Sequence, residues 1–299
     1  MYSYFRLDTS KDKVYHVKCI TNIYAKDLIM MGFYNPDEIA NYTVSSGYKK
    51  AHYTSLQSTI LGFEAGAFIA LGYLLYIQVT ANMPEAWGGF SSFIGAALFP
   101  IGLILTLLAG GELLTGNLMA VPLSRMERKI KSRHVLKNII IITASNFLGA
   151  IFVAYFFGHI VGLTEGIYLE TTVHLAEHKL NDTFLQAFLS GIGCNWLVAS
   201  AVWLNYGAKD MSGKILGIWF PTMTFVAIGF QHVVANMFLI PAAIFAGYFS
   251  WGAYLLNFIP VFLGNAVGGV VFVAGAYWVV YLKKEPDHLL PIKQKHHAS

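Results

Sequence analysis

Long apolar stretches alternate with short polar segments along most of this chain. The apolar stretches cover residues 55–79, 93–121, 138–160, 183–206, 215–249 and 258–282. A helix needs about 20 apolar residues to cross the hydrocarbon part of a bilayer, so the pattern predicts six transmembrane helices. The second and fifth stretches are longer than one crossing needs, and each has a polar break in its middle. We therefore expect these two to contain some non-helical chain.

The two polar breaks, "GGELLTGN" at 110–117 and "GFQHVVANMF" at 229–238, are copies of one element. A shift of 119 residues superposes the pairs Gly110/Gly229, Glu112/Gln231, Asn117/Asn236, Pro122/Pro241, Asn146/Asn265 and Gly149/Gly268. Each copy contains three spans, and an odd number of spans turns the second copy upside down. The sequence therefore predicts an all-α membrane protein of two inverted three-helix repeats, in which broken helices two and five face each other near the midplane.

The residues of the breaks indicate a pathway for a small polar solute. Glycine allows the chain to leave helical geometry, and the half-helices that follow aim amides and partial positive charge into the interior, which favours an anion or a carbonyl. His232 adds a group that can donate a hydrogen bond or a proton near neutral pH, and Thr115 has nearly the equivalent place in the first repeat. A histidine within a span can also simply join two helices, but its position in a repeated break favours the pathway.

Composition supports a membrane protein and excludes several other classes. The chain has 56% hydrophobic and 12% charged residues, with 28 glycines among 299 residues, which is outside the usual range of soluble domains. Cys19 lies in the polar N-terminal arm and Cys194 in an apolar run, so we predict neither a disulfide, a metal site nor another cofactor. Motifs of metalloproteases and serine hydrolases are missing, so we predict that the protein is not an enzyme.

Charge orients the six spans. Nineteen of the 20 lysines and arginines fall on one side, which the positive-inside rule assigns to the cytoplasm. We predict a cytoplasmic arm with a surface helix (1–53), a six-span channel domain (54–283) and a cytoplasmic tail (284–299) in the cell (inner) membrane, with no removable signal peptide. The basic run 125–137 faces anionic lipid in this arrangement, and no nucleic-acid partner is expected. Lys179 is the single basic residue of the outer loops.

Four segments give the chain a resemblance to a known family. They are "LAGGELLTGN" at 108–117, "AEHKLNDTF" at 176–184, "GIGCNWLV" at 191–198 and "GFQHVVANMF" at 229–238. In this order and spacing the chain resembles the formate/nitrite transporter family over about residues 36–284. The resemblance implies an aquaporin-like protomer, a homopentamer in the lipid bilayer, and a separate pore in each protomer for formate, nitrite or hydrosulfide.

The same resemblance assigns roles to individual residues. It makes His232 the central pore histidine, Thr115 its partner and Lys179 the lysine near the outer vestibule, and Asn195 would orient the histidine. It places the inner constriction at Leu103, Leu113 and Phe225, and the outer one at Phe99 and Leu114. Three places differ from the usual pattern of the family: Leu114, the pair Ala199 and Ser200, and Gln231, where formate channels carry an acidic residue. Glu64 is not explained by it, and both a packing role and a pathway role stay open.

We therefore predict a transmembrane channel or transporter for small monovalent anions of weak acids, with formate as the first choice and coupled proton transfer left open. A nitrite or hydrosulfide channel of the same family is the first alternative. A neutral-solute channel of the aquaporin type is less favoured, because paired Asn-Pro-Ala motifs and an arginine at the constriction are both missing.

Overall fold

The computed structural model describes residues 32–283, so most of the expected cytoplasmic arm and all of the tail at 284–299 lie outside the described residues. The described chain is helical apart from its connections and one isolated bridge between Phe33 and Ala208. Its principal helices are α1 Pro36–Ala51, α2 Ser55–Thr80, α3 Gly89–Gly110, α4 Leu114–Met126, α5 Ser132–Ile160, α6 Leu169–Leu180, α7 Phe184–Gly207, α8 Met211–Ile228, α9 Val233–Phe245 and α10 Trp251–Leu282.

Six helices of the described region are long and apolar enough to cross a membrane, which confirms the predicted number. They are α2, α3, α5, α7, α8 and α10. The two long stretches are broken as expected, the first into α3 and α4 and the second into α8 and α9. Gly110 (φ +111°) and Gly229 (φ +86°) lie at the breaks with positive φ, a conformation that glycine adopts without steric cost.

The helix starts follow ordinary capping chemistry. Thr54 and Gln57 form a capping box at the start of α2, with the Gln57 side chain accepting from the Thr54 amide at 2.9 Å. Thr183 and Gln186 form the same box at the start of α7, at 2.8 Å. Each box satisfies two backbone donors that the first turn leaves free. The two boxes are 129 residues apart, so α2 and α7 begin the two repeats.

Close helix contacts within each repeat depend on glycine. A Cβ on Gly149 would lie 2.0 Å from the Phe63 carbonyl oxygen, and a Cβ on Gly268 would lie 2.5 Å from that of Ile192. Any side chain at these two positions would therefore separate α5 from α2 and α10 from α7. Small residues of this kind allow membrane helices to approach backbone to backbone.

A short polar helix precedes the first crossing of each repeat. The helix predicted within the N-terminal arm is present as α1, which begins at Pro36 and buries Ile39 and Val44 against α4. Helix α6 has the corresponding place before α7 and packs against α9. Because α1 and α6 are separated by an odd number of crossings, they lie at opposite ends of the bundle. We call these the α1 end and the α6 end.

Candidate functional site

Asn146 holds the break between α3 and α4 in place. Its Oδ1 accepts from the Leu114 amide at 2.9 Å, the first amide of α4. Its Nδ2 donates to the carbonyl oxygens of Gly62 at 2.7 Å and Glu112 at 2.9 Å. The side chain is fully buried, and it supplies partners for backbone groups that would otherwise be unpaired in an apolar interior.

Asn265 performs the same function in the second break. Its Oδ1 accepts from the Val233 amide at 3.0 Å, and its Nδ2 donates to the carbonyl oxygens of Gly191 at 2.8 Å and Gln231 at 3.0 Å. The first amides of α4 and α9 are thus occupied by asparagine side chains. These helix starts offer an anion mainly their partial positive charge.

A second pair of asparagines fixes the side chains at the centre of each break. Asn117 donates through Nδ2 to Glu112 Oε2 at 2.8 Å and to Asn138 Oδ1 at 3.0 Å. In the second break Asn236 donates in the same way through Nδ2, to Gln231 Oε1 at 2.6 Å and to Asn257 Oδ1 at 2.9 Å. The residue that differs between the two sets is Glu112, which is replaced by Gln231.

Thr115 and His232 meet between the two half-helices. The Thr115 hydroxyl oxygen lies 3.1 Å from His232 Nε2, and both side chains are buried. His232 is also the N-cap of α9, because its Nδ1 accepts from the Ala235 amide at 3.1 Å. An accepting Nδ1 carries no proton, so the ring is neutral in this geometry and Nε2–H is the donor to Thr115.

Asn195 lies beside this pair but does not bond to the histidine as expected. Its Nδ2 donates to the carbonyl oxygen of Thr115 at 3.2 Å and to that of Asn265 at 2.6 Å. Its influence on His232 therefore passes through Thr115.

The five expected constriction residues, Phe99, Leu103, Leu113, Leu114 and Phe225, are all buried in one apolar cluster. Phe225 contacts two of the other expected site residues. Its ring packs on the His232 ring, with centroids 5.6 Å apart, and meets Phe99 edge-on at 5.7 Å. Phe225 lies near the α6 end of its helix, which ends at Ile228. It therefore lies between Phe99 and the pore histidine.

A small cavity lies beside three of the expected site residues, Lys179, Phe225 and His232. Its volume is about 20 Å³, which is enough for a single water molecule. Its lining residues are Tyr73, Lys179, Phe225, Val226, Phe230, His232, Ala235 and Asn236. Tyr73 was not expected here, and an aromatic residue in an apolar span gives no sequence signal of such a role. A solute larger than water needs the aromatic side chains to move.

Lys179 approaches this cavity from the α6 end. Its ammonium donates to the Gly229 carbonyl oxygen at 2.8 Å, and the residue is 7% exposed. Burial lowers the pKa of this lysine, because the charged form loses hydration, and Asp182 nearby raises it in part. A wider cavity of about 870 Å³ lies further out, lined by residues that include Thr80, Glu170 and His174.

The α1 end has a lysine that sequence reasoning missed. Lys50 forms an ion pair with Glu112 at 2.7 Å, and both residues line a cavity of about 400 Å³ beside Gly110 and Gly111. Lys50 precedes the capping threonine Thr54 by four residues, as Lys179 precedes the capping threonine Thr183. The spacing to the capping box was the signal that could have found it. Glu64, by contrast, is only half-buried on α2.

No group of three or more potential metal ligands occurs within residues 32–283. The described cysteine, Cys194, is buried and free. The site therefore consists of two helix starts, a hydroxyl, a neutral imidazole, aromatic and aliphatic walls, and one lysine at each end. Such a set can bind and desolvate a small polar solute.

Comparison with known proteins gives the class. The sequence profile described as formate/nitrite transporter matches residues 37–279. The chain belongs to this family of multi-pass membrane proteins. It is 57% identical over 256 residues to the uncharacterized transporter YrhG of Bacillus subtilis, which covers 85% of this chain and 96% of YrhG. It is 52% identical over 257 residues to the formate channel BtFdhC of Bacillus thuringiensis, covering 86% of this chain and 99% of that protein.

Solved structures give the same result. A pentameric formate channel with formate bound superposes with a TM-score of 0.67 at 32% identity, covering 77% of this chain and 98% of that one. An ion channel of the same family superposes with a TM-score of 0.77 at 26% identity, covering 81% of this chain and 98% of that one.

Proposed function

We propose that this protein is a channel for small monovalent anions of weak acids and that formate is its substrate. The observation that carries the proposal is the buried contact between Thr115 and His232 where the half-helices α4 and α9 begin, beside a small cavity that His232 lines. The cavity is small, which excludes large solutes, and Lys179 lies at its α6 side. The relatives named as formate channels support formate over nitrite and hydrosulfide.

The lysine and the helix starts lower the energy of an anion that enters from the α6 end. An anion loses most of its hydration when it passes from water to the aromatic side chains of Phe99 and Phe225. Without a charged or hydrogen-bonding partner, this loss costs many kcal/mol. The Lys179 ammonium and the partial positive charges of α4 and α9 offset part of this cost up to the constriction. The neutral acid loses far less hydration than the anion in the apolar segment.

The substrate therefore crosses the constriction as the neutral acid, with a proton taken from water at the α6 side. His232 is a poor source of this proton, since its Nδ1 accepts the Ala235 amide and loss of the Nε2 proton would leave an imidazolate. The histidine instead offers an N–H donor, and Thr115 offers a hydroxyl that both donates and accepts. Together they replace two hydrogen bonds of the acid to water.

The family and the pentameric relative support a homopentamer in the cell membrane, with one pathway in each protomer. The excess of lysine and arginine on the side of α1 supports a cytoplasmic location for that end, with both termini. In this orientation Lys179 faces the outside and the pair Lys50–Glu112 faces the cytoplasm.

Uptake by proteoliposomes tests the proposal. The purified protein should accelerate entry of formate more than entry of nitrite or hydrosulfide, and glycerol should enter no faster than into empty liposomes. His159 supplies a matched control variant, since it is partly exposed and pairs with Glu165 away from the cavity. His159→Asn should leave formate uptake unchanged, whereas His232→Leu should reduce it strongly. Equal uptake of glycerol and formate would instead support a neutral-solute channel.

A further inference from the structure

A lysine and the polar residues of a break recur at the two ends of the pathway, with Glu112 in one break exchanged for Gln231 in the other. Lys50 and Lys179 each precede the capping threonine of a repeat by four residues, and each approaches the break of its own repeat. The break at the α1 end contains Glu112, and the break at the α6 end contains Gln231. The two ends thus differ in where the carboxylate stands. Glu112 pairs with Lys50, whereas Asp182 at the α6 end is bonded to Gln231 and does not pair with Lys179.

At the α1 end the lysine is neutralised. Lys50 Nζ lies 2.7 Å from Glu112 Oε1, while Asn117 donates to the other carboxylate oxygen at 2.8 Å. Burial alone would lower the pKa of Lys50, but the charge and hydrogen bond of Glu112 outweigh burial and hold the pKa above its usual value. An anion that enters the cavity at this end therefore meets a compensated pair.

At the α6 end Gln231 adds no charge to its break. Its Nε2 donates to the Lys179 carbonyl oxygen at 2.9 Å and to Asp182 Oδ2 at 2.6 Å, and its Oε1 accepts from Asn236. The amide thereby holds the Asp182 carboxylate. The Lys179 ammonium points instead to the Gly229 carbonyl and lines the cavity of His232.

Lys179 has no carboxylate within ion-pair distance in residues 32–283, where the ion pairs are Lys50–Glu112 and His159–Glu165. A carboxylate at position 231 would stand where Glu112 stands in the other repeat. Glutamine has nearly the same shape and preserves the bond with Asn236, but it leaves the charge of Lys179 available to a substrate.

We propose that Gln231 is a specificity-determining residue that gives the two ends of the pathway different affinities for the substrate anion. The α6 end binds the anion more tightly than the α1 end. The inference rests on the proposed function. A passive pathway has no net flux at equal concentrations, so the ratio of maximal rate to half-saturating concentration is the same in both directions. The difference must therefore appear as a lower half-saturating concentration and a lower maximal rate for transport from the α6 side.

Formate flux in proteoliposomes of a single protein orientation tests this, with equal pH and no voltage across the membrane. For the natural chain, we expect a half-saturating concentration at the α6 side about fivefold lower than at the α1 side, as a unit charge in direct contact with the lysine at one end only would give. The difference should shrink in high salt, because salt screens exposed charges. Equal values on the two sides would overturn the inference while leaving formate transport established.

Two variants test whether Glu112 and Gln231 cause the difference in half-saturating concentration between the two sides. Glu112→Gln should lower the half-saturating concentration at the α1 side about fivefold and change the α6 side little. Adding Gln231→Glu to it should reverse the order of the two sides. Glu127→Gln is the matched control, since Glu127 lies at the end of α4 on the α1 side and accepts from Trp278 at 2.7 Å, and it should change neither value. Size-exclusion chromatography checks assembly of each variant.

Other results would separate this inference from the proposed function. Unequal sides that Glu112→Gln leaves unchanged would show that the pair Glu112/Gln231 is not their cause, and would overturn the role of Gln231. Absence of flux for every small anion in the natural chain would instead reject the proposed function itself.

Discussion

His232 Nδ1 accepts the Ala235 amide at 3.1 Å, so the pore histidine is also the cap of the helix that follows it. The cap fixes the ring and determines which nitrogen carries the proton. It leaves Nε2–H directed to the Thr115 hydroxyl. Protonation of Nδ1 would place two donors against each other and would break the cap. The helix start thus disfavours the imidazolium in a way that sequence alone does not show.

His232→Asn should therefore keep acid-stimulated formate uptake. Asparagine is a good N-cap and can accept from the Ala235 amide, and the proton of the substrate comes from water in the proposed mechanism. His232→Leu removes both the cap and the donor to Thr115, and it should reduce flux at every pH. Formate uptake from about pH 5 to 8, the range in which an ordinary histidine titrates, measures both variants. Loss of acid stimulation in the asparagine variant alone would assign the proton transfer to His232.

Asn265→Leu should destabilise the protein strongly. The change leaves the Val233 amide and the carbonyl groups of Gly191 and Gln231 without their partner, and each buried unpaired group costs roughly 1–3 kcal/mol. Thermal unfolding in detergent should show a clearly lower midpoint and loss of the oligomer. Thr143→Val on α5 is a suitable control, since its hydroxyl bonds only to the preceding turn. A midpoint for Asn265→Leu equal to that of the control would contradict the role of the asparagine.

The breaks and their asparagines could be predicted because polar residues repeat at a shift of 119 in otherwise apolar chain. Lys50 could not be found by that shift, which superposes it on Leu169. The first helices of the repeats are related by 129 residues. The shift changes because the connection and both helices before the first break are longer than their counterparts before the second. Tyr73 has no pattern that separates it from ordinary lipid-facing or core aromatic residues.

Lys50→Met should destabilise the protein more than Glu112→Gln. The Glu112 side chain is 5% exposed and would remain as an unpaired buried carboxylate, whereas Lys50 is 14% exposed beside a cavity and can be hydrated. Loss of one partner of a buried pair costs about 3 kcal/mol. Thermal unfolding midpoints in detergent measure the difference, and a higher midpoint for Lys50→Met than for Glu112→Gln would contradict it.

The ion pair should also determine at which pH the stability difference between the natural chain and Lys50→Met decreases. The folded-state pKa of Lys50 lies above its usual value. The contribution of Lys50 is therefore complete below the ordinary lysine pKa of about 10.4 and is lost only as pH rises through the folded value. Between pH 6 and 9 the contribution of Lys50 to the difference in unfolding midpoint should therefore stay constant. A contribution of Lys50 that decreased between pH 6 and 9 would mean that Glu112 does not stabilise the ammonium group.

The constriction gives the most direct test of the pathway. Leu103→Ala and Phe225→Ala should each widen it and raise the flux of formate or admit larger weak acids such as acetate and lactate. The reason is that both side chains are buried in the cluster next to Phe99, and each truncation leaves a space along the proposed route. Phe225→Ala should have the larger effect, since it also removes the ring that packs on His232. Phe220→Ala on the exposed face of α8 is the matched control and should leave selectivity unchanged. If the uptake ratio of lactate to formate were the same in both constriction variants and the control, Leu103 and Phe225 would lie outside the pathway.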